Sequence, residues 1–113
     1  MQTGLTTILF IVTTLCGTAH AMKDANSSAE AGERVYRSNC LNCHGTKGKG
    51  DGPIASSLTP APANLRNPIT QNKDNEALLQ VIQNGKTGTS MPAWKNDLSA
   101  QQILDVLAYL RTL

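Results

Sequence analysis

The chain has 113 residues, enough for one small domain. Only 4% of them are aromatic (Phe10, Tyr36, Trp94 and Tyr109), so side chains alone would struggle to fill a core and a staple or bound group is expected. A formal net charge of +2, with no basic run or aromatic-interleaved patch, argues against nucleic acid as a partner.

Residues 1–21 read as an export signal. The stretch 5–19 is mostly apolar and uncharged, and it is too short and too polar for a comfortable membrane span. It ends in Ala19-His20-Ala21, an A-x-A cleavage pattern, and turns polar at Met22-Lys23-Asp24. The start carries no Lys or Arg, which keeps open an uncleaved anchor formed by residues 5–19. Cys16 follows Leu15, where a lipoprotein site would need a small residue, so Cys16 is assigned to the removed segment. Cleavage after Ala21 leaves residues 22–113 as the domain, with Cys40 and Cys43 as its thiols, in an exported and oxidising compartment.

Residues 24–39 form the first helical pattern, with Asn26, Ser27 or Ser28 as cap and Glu30 and Glu33 near its positive end. Gly32 and Tyr36 lie four apart and share a face. A glycine inside a helix costs about 1 kcal/mol against alanine, which suggests close contact with another helix.

Cys40-Leu41-Asn42-Cys43-His44 is a C-x-x-C-H pattern, the attachment signature of a c-type haem. Each thiol can add across one porphyrin vinyl group, and His44 can then give the iron a nitrogen ligand. C-x-x-C alone would also suit a thioredoxin-like dithiol or half of a zinc site; the histidine that follows directly favours haem.

Four glycines in Gly45–Pro53 fit neither phosphate-binding pattern and read as an irregular loop. Residues 54–58 suit a short helical turn, and Pro60-Ala61-Pro62 a stiff extended segment. Residues 72–84 form a second helix, with Leu78, Leu79 and Ile82 at helical spacing and Asn84-Gly85 as the stop. A loop carrying Met91-Pro92-Ala93-Trp94 follows. The last helix starts at Ser99, with Gln102 completing a capping box, and runs to about residue 112. No strand pattern, repeat or interdomain linker is visible, so the fold class is all-α.

A second axial ligand follows by elimination. His20 lies in the removable segment, Met1 starts it, and Met22 opens the mature chain. Met91 remains, in a glycine-bounded loop rather than on an apolar helical stripe. Trp94 is either core or a haem-side ring whose N–H reaches a propionate.

Together Gly32 and Tyr36, the C-x-x-C-H run, the loop 48–53, Asn84-Gly85, Met91-Pro92-Ala93-Trp94 and Leu107-Ala108-Tyr109-Leu110 make the chain resemble a small class I cytochrome c. The resemblance implies a cytochrome c fold of about three main helices plus loops around one covalently attached haem c. It implies axial ligation by His44 and Met91, with the first and last helices crossing so that Gly32 and Tyr36 meet Val106 and Tyr109. It also implies a proline carbonyl that accepts the N–H of the ligand histidine; Pro60 and Pro62 both lie where that proline could be. The lysine-rich face of the long mitochondrial carriers is absent.

The function expected is a one-electron carrier that meets redox partner proteins (an oxidase, reductase or dehydrogenase) as a monomer, with no catalytic residue of its own. The alternative is a haem c subunit of a larger exported dehydrogenase or oxidase complex, which a large exposed apolar patch would favour. Two further readings, a sensor or enzyme with an exchangeable Met91 bond and a haem-free dithiol protein, find no second constellation in the sequence.

Overall fold

Short polar side chains decide where the helices begin. The computed structural model describes residues 27–113; the expected signal or anchor and the first residues of the expected first helix lie outside them. Of the three possible caps, Ser28 acts: its hydroxyl accepts the Ala31 N–H and starts α1, Ala29–Asn39. Cys40 ends α1 by donating its N–H to the Tyr36 carbonyl, and the chain turns at once into α2, Leu41–His44. The expected turn near residue 54 is a 3-10 turn at Ala55–Ser57.

The sequence reading missed α3, Pro68–Gln71. Its signals are local: the Asn67 side chain accepts the Thr70 N–H, and Pro68 occupies the first turn, where no backbone donor is needed. α4, Asn75–Asn84, begins three residues later than the expected 72 because Asp74 accepts the Ala77 N–H and becomes the cap. α5, Ala100–Leu110, has the expected capping box between Ser99 and Gln102 and stops short of residue 112, with Arg111 at its C-cap. Arg111 reaches back to donate to the Gln71 and Lys73 carbonyls and to Asn75 Oδ1, which fixes the segment between α3 and α4 to the end of α5. Among the described residues there is no strand, and no helix is long and apolar enough to cross a membrane.

The core is the crossing of α1 and α5. Val35 and Tyr36 from α1 pack with Ile103, Val106 and Leu110 from α5, and Leu65, Ile82 and Leu98 close the cluster. Tyr36 and Val106 are 0% and 1% exposed. The Tyr36 and Tyr109 rings meet at 5.2 Å between centroids, tilted by 54°, a spacing at which aromatic pairs attract. Gly32 is where the backbones touch: a Cβ built there would overlap the Asp105 carbonyl and stand 2.9 Å from Val106 N. This accounts for a glycine that is otherwise costly inside a helix. Asp105 is buried, yet its Oδ1 accepts the Ser28 N–H at 2.8 Å and the Gln101 Nε2–H at 2.9 Å. A side chain of the last helix thereby satisfies a donor at the start of the first.

Candidate functional site

The end of α1 and the whole of α2 place Cys40, Cys43 and His44 within about one helical turn of each other. Both thiols are free and half-buried. Cys40 packs against the core cluster, and burial, with a lesser contribution from Cys43, pushes its thiol up to about 12. The chain after His44 then folds back on this turn. Gly50 N–H donates to the His44 carbonyl at 2.8 Å, Gly52 to Cys43 at 3.1 Å and Ile54 to Asn42 at 3.1 Å. Gly52 lies so close that a Cβ would overlap the Asn42 carbonyl. Gly45, at φ +87°, turns the chain out of α2 in a conformation that suits glycine. The buried Tyr36 hydroxyl donates to the Gly45 carbonyl, tying this turn to the helix crossing. Burial holds the Tyr36 phenol well above its ordinary range, with smaller contributions from Cys40, Tyr109 and Asp51.

His44 Nδ1 lies 3.0 Å from the Ala63 carbonyl oxygen. A carbonyl only accepts, so Nδ1 carries the proton and Nε2 keeps its lone pair. Burial lowers the ring's pKa and the Ala63 bond partly offsets that, so the imidazole is favoured in the neutral form that a metal needs. The resemblance implied a proline carbonyl here, but neither Pro60 nor Pro62 provides it. Ala63, one residue further on, does so, and its position is fixed by Leu65 N–H donating to the Gly48 carbonyl at 2.7 Å.

Met91 stands on a separate loop and is half-buried. Its N–H donates to the Thr89 hydroxyl at 3.1 Å, and its carbonyl accepts the Lys86 N–H at 3.2 Å. On the far side Trp94 N–H donates to the Ile82 carbonyl at 3.0 Å. Trp94 packs against the same core cluster as Cys40, Leu41 and Leu79, so both segments border one apolar region. No motif read from the sequence marks Ala63 or Thr89 as a site residue, and Gly52 enters only as one of the loop glycines. A Thr-x-Met spacing with the hydroxyl two residues before the ligand candidate was the available signal for Thr89; a backbone acceptor such as Ala63 leaves no signature.

The donor set fits a haem. Two free thiols precede an imidazole with an available Nε2, and half-buried Leu41, Leu79 and Trp94 suit a flat apolar macrocycle. Among the described residues, no group of three or more His, Cys, Asp and Glu gathers to hold a metal ion by side chains alone, as the zinc reading would require.

An all-helical fold carrying this turn defines a c-type cytochrome domain. A family model described as cytochrome c oxidase, cbb3-type, subunit III matches residues 27–110, and the chain belongs to that family. It is 34% identical over 87 residues to the cbb3-type cytochrome c oxidase subunit FixP of Azorhizobium caulinodans, covering 76% of this chain and 27% of that protein. It is 29% identical over 104 residues to the cytochrome c subunit of the quinone alcohol dehydrogenase of Gluconacetobacter polyoxogenes, covering 84% of this chain and 21% of the other. The chain thus spans about a quarter of the length of these relatives. Among solved structures it resembles a chain of the reducing HAO-like protein complex of Kuenenia stuttgartiensis, with a TM-score of 0.66 at 26% identity, over 75% of this chain and 42% of that one.

Proposed function

We propose that residues 22–113, released by cleavage after Ala21, form an exported one-electron transfer domain with a single covalent haem c. Cys40 and Cys43 form the thioether links, and His44 and Met91 are the axial ligands. When bound, the haem supplies a reversible one-electron couple between ferrous and ferric iron. His44 presents Nε2 because Ala63 holds its Nδ1–H, and this bond carries the reading. Met91 would hold the iron together with His44, and a haem held by both side chains would pass electrons rather than bind substrate. Half-buried Leu41, Leu79 and Trp94 would shield a bound haem from water, an apolar setting that favours the less charged ferrous state.

The partners are redox proteins of an exported compartment. The family and the relatives' names support docking within a larger oxidase or dehydrogenase over free diffusion.

The protein exported by its native host is expected to start at Met22 and to keep its haem through acid–acetone extraction and denaturing electrophoresis. The peptide containing Cys40–His44 should carry the haem mass. Met91→Ala should convert a low-spin spectrum to a high-spin one. Haem that washes out would end the covalent assignment, and an unchanged Met91→Ala spectrum would end the ligand assignment.

A further inference from the structure

We propose that Thr89 is a positioning residue for Met91, its hydroxyl setting how readily that ligand yields to an outside one. The proposal rests on the reading of Met91 as axial ligand given above. The Thr89 hydroxyl donates to the Lys86 carbonyl at 2.7 Å and accepts the Met91 N–H at 3.1 Å. Lys86 N–H returns to the Met91 carbonyl at 3.2 Å, and Thr89 N–H also donates to Lys86 O at 3.2 Å. The segment from Lys86 to Met91 is therefore closed on itself, and both backbone groups of Met91 are used. Gly85 seats it against the end of α4, with space for a Cβ limited to 2.7 Å from the Met91 carbonyl oxygen.

Each of these bonds is local, and the Thr89 hydroxyl belongs to no helix and to no part of the core cluster. Breaking it leaves the crossing of α1 and α5 intact but frees the Met91 N–H and loosens the loop. A loop that opens more often releases its ligand more often, and an exogenous ligand that needs the open state then binds more tightly in proportion. Valine has the shape of threonine without the hydroxyl; serine keeps the hydroxyl without the methyl. This pair separates the hydrogen bonds from packing.

The test is equilibrium binding of imidazole to the ferric holoprotein for wild type, Thr89→Val, Thr89→Ser and Met91→Ala, together with amide hydrogen exchange at Met91. Thr89→Val should bind imidazole roughly two- to tenfold more tightly, as expected for losing the two hydrogen bonds of one exchangeable hydroxyl, part of whose loss water makes good. Its Met91 amide should exchange faster by a similar factor, and Thr89→Ser should stay close to wild type. Should Thr89→Val match wild type in both readouts, or should Thr89→Ser behave like Thr89→Val, the positioning role is overturned while tight imidazole binding by Met91→Ala keeps the ligand reading. Should Met91→Ala bind imidazole no better than wild type, the ligand reading fails and the Thr89 proposal falls with it. Should the affinity gain of Thr89→Val appear only alongside a matching loss of global stability to denaturant, the effect is unfolding rather than positioning, and the proposal is overturned.

Discussion

The His44 turn and the Met91 loop face the same apolar region but are held by different means. Around His44 every bond ends on a backbone carbonyl: Gly50, Gly52 and Ile54 donate to the carbonyls of α2, the buried Tyr36 hydroxyl donates to Gly45, and the His44 ring donates to Ala63. Around Met91 the loop is closed by a half-buried hydroxyl and two backbone bonds, with exposed Lys86, Thr87, Gly88 and Ser90 between. One side is built into the core and the other is strapped on at the surface. Opening the first costs much of the fold; opening the second costs a few local bonds.

On the proposed haem attachment, the largest effect should come from replacing Cys40 and Cys43 together by alanine, because the chain would then lose both staple and core filler and should be largely unfolded by circular dichroism. Next come the glycines on the built-in side. Gly32→Ala drives a methyl into the Asp105 carbonyl, and Gly52→Ala drives one into Asn42. Each should destabilise by about 3 kcal/mol, the upper part of the overpacking range, in chemical denaturation followed by haem absorbance. A stabilised Gly32→Ala protein would contradict the close crossing.

Tyr36→Phe should cost about 1–2 kcal/mol by leaving the Gly45 carbonyl without its donor. That difference also depends on pH. The folded state holds the Tyr36 phenol protonated above its ordinary value of 10.0, so ionisation in the unfolded chain favours unfolding at high pH. The stability due to the protonated phenol is therefore complete below pH 10 and declines above it. Denaturation series at neutral and alkaline pH should show the wild type's advantage over Tyr36→Phe shrinking; a constant gap would contradict the burial argument. The smallest effect belongs to the strapped side. Gly88 has φ +77° with nothing within 4 Å of a would-be Cβ. Gly88→Ala should cost only the backbone strain, about 1 kcal/mol, and leave the haem spectrum unchanged.

Features written in local chemistry were legible in the sequence. The capping box of Ser99 and Gln102 needs only a three-residue spacing, and it forms as read. The oddity of Gly32 pointed to a close helix contact because glycine is unfavourable there without one, and α5 is that contact. The C-x-x-C-H run fixes its own register, so its three side chains had to share a turn. What stayed hidden was chosen by tertiary geometry. Ala63 serves His44 through a carbonyl that every residue possesses, so the chain's path, not its side chains, selects it. α3 carried cap and proline signals but was too short for apolar periodicity to show. Asp105 carries no local signal of its role, because its partner Ser28 lies far earlier in the chain.

The pairing of α1 with α5 also imposes an order in time. α1 has 11 residues, too few to be stable as an isolated helix in water, and its packing partner is the last helix of the described chain. While a nascent chain still lacks α5, the Ser28 N–H has no Asp105 to meet and Tyr36 lacks the cover of α5. Cys40, which the finished fold half-buries against the core, is therefore less covered until α5 arrives. α5 follows every other described helix in the chain, so the crossing that covers this end of α1 closes only once α5 has been made.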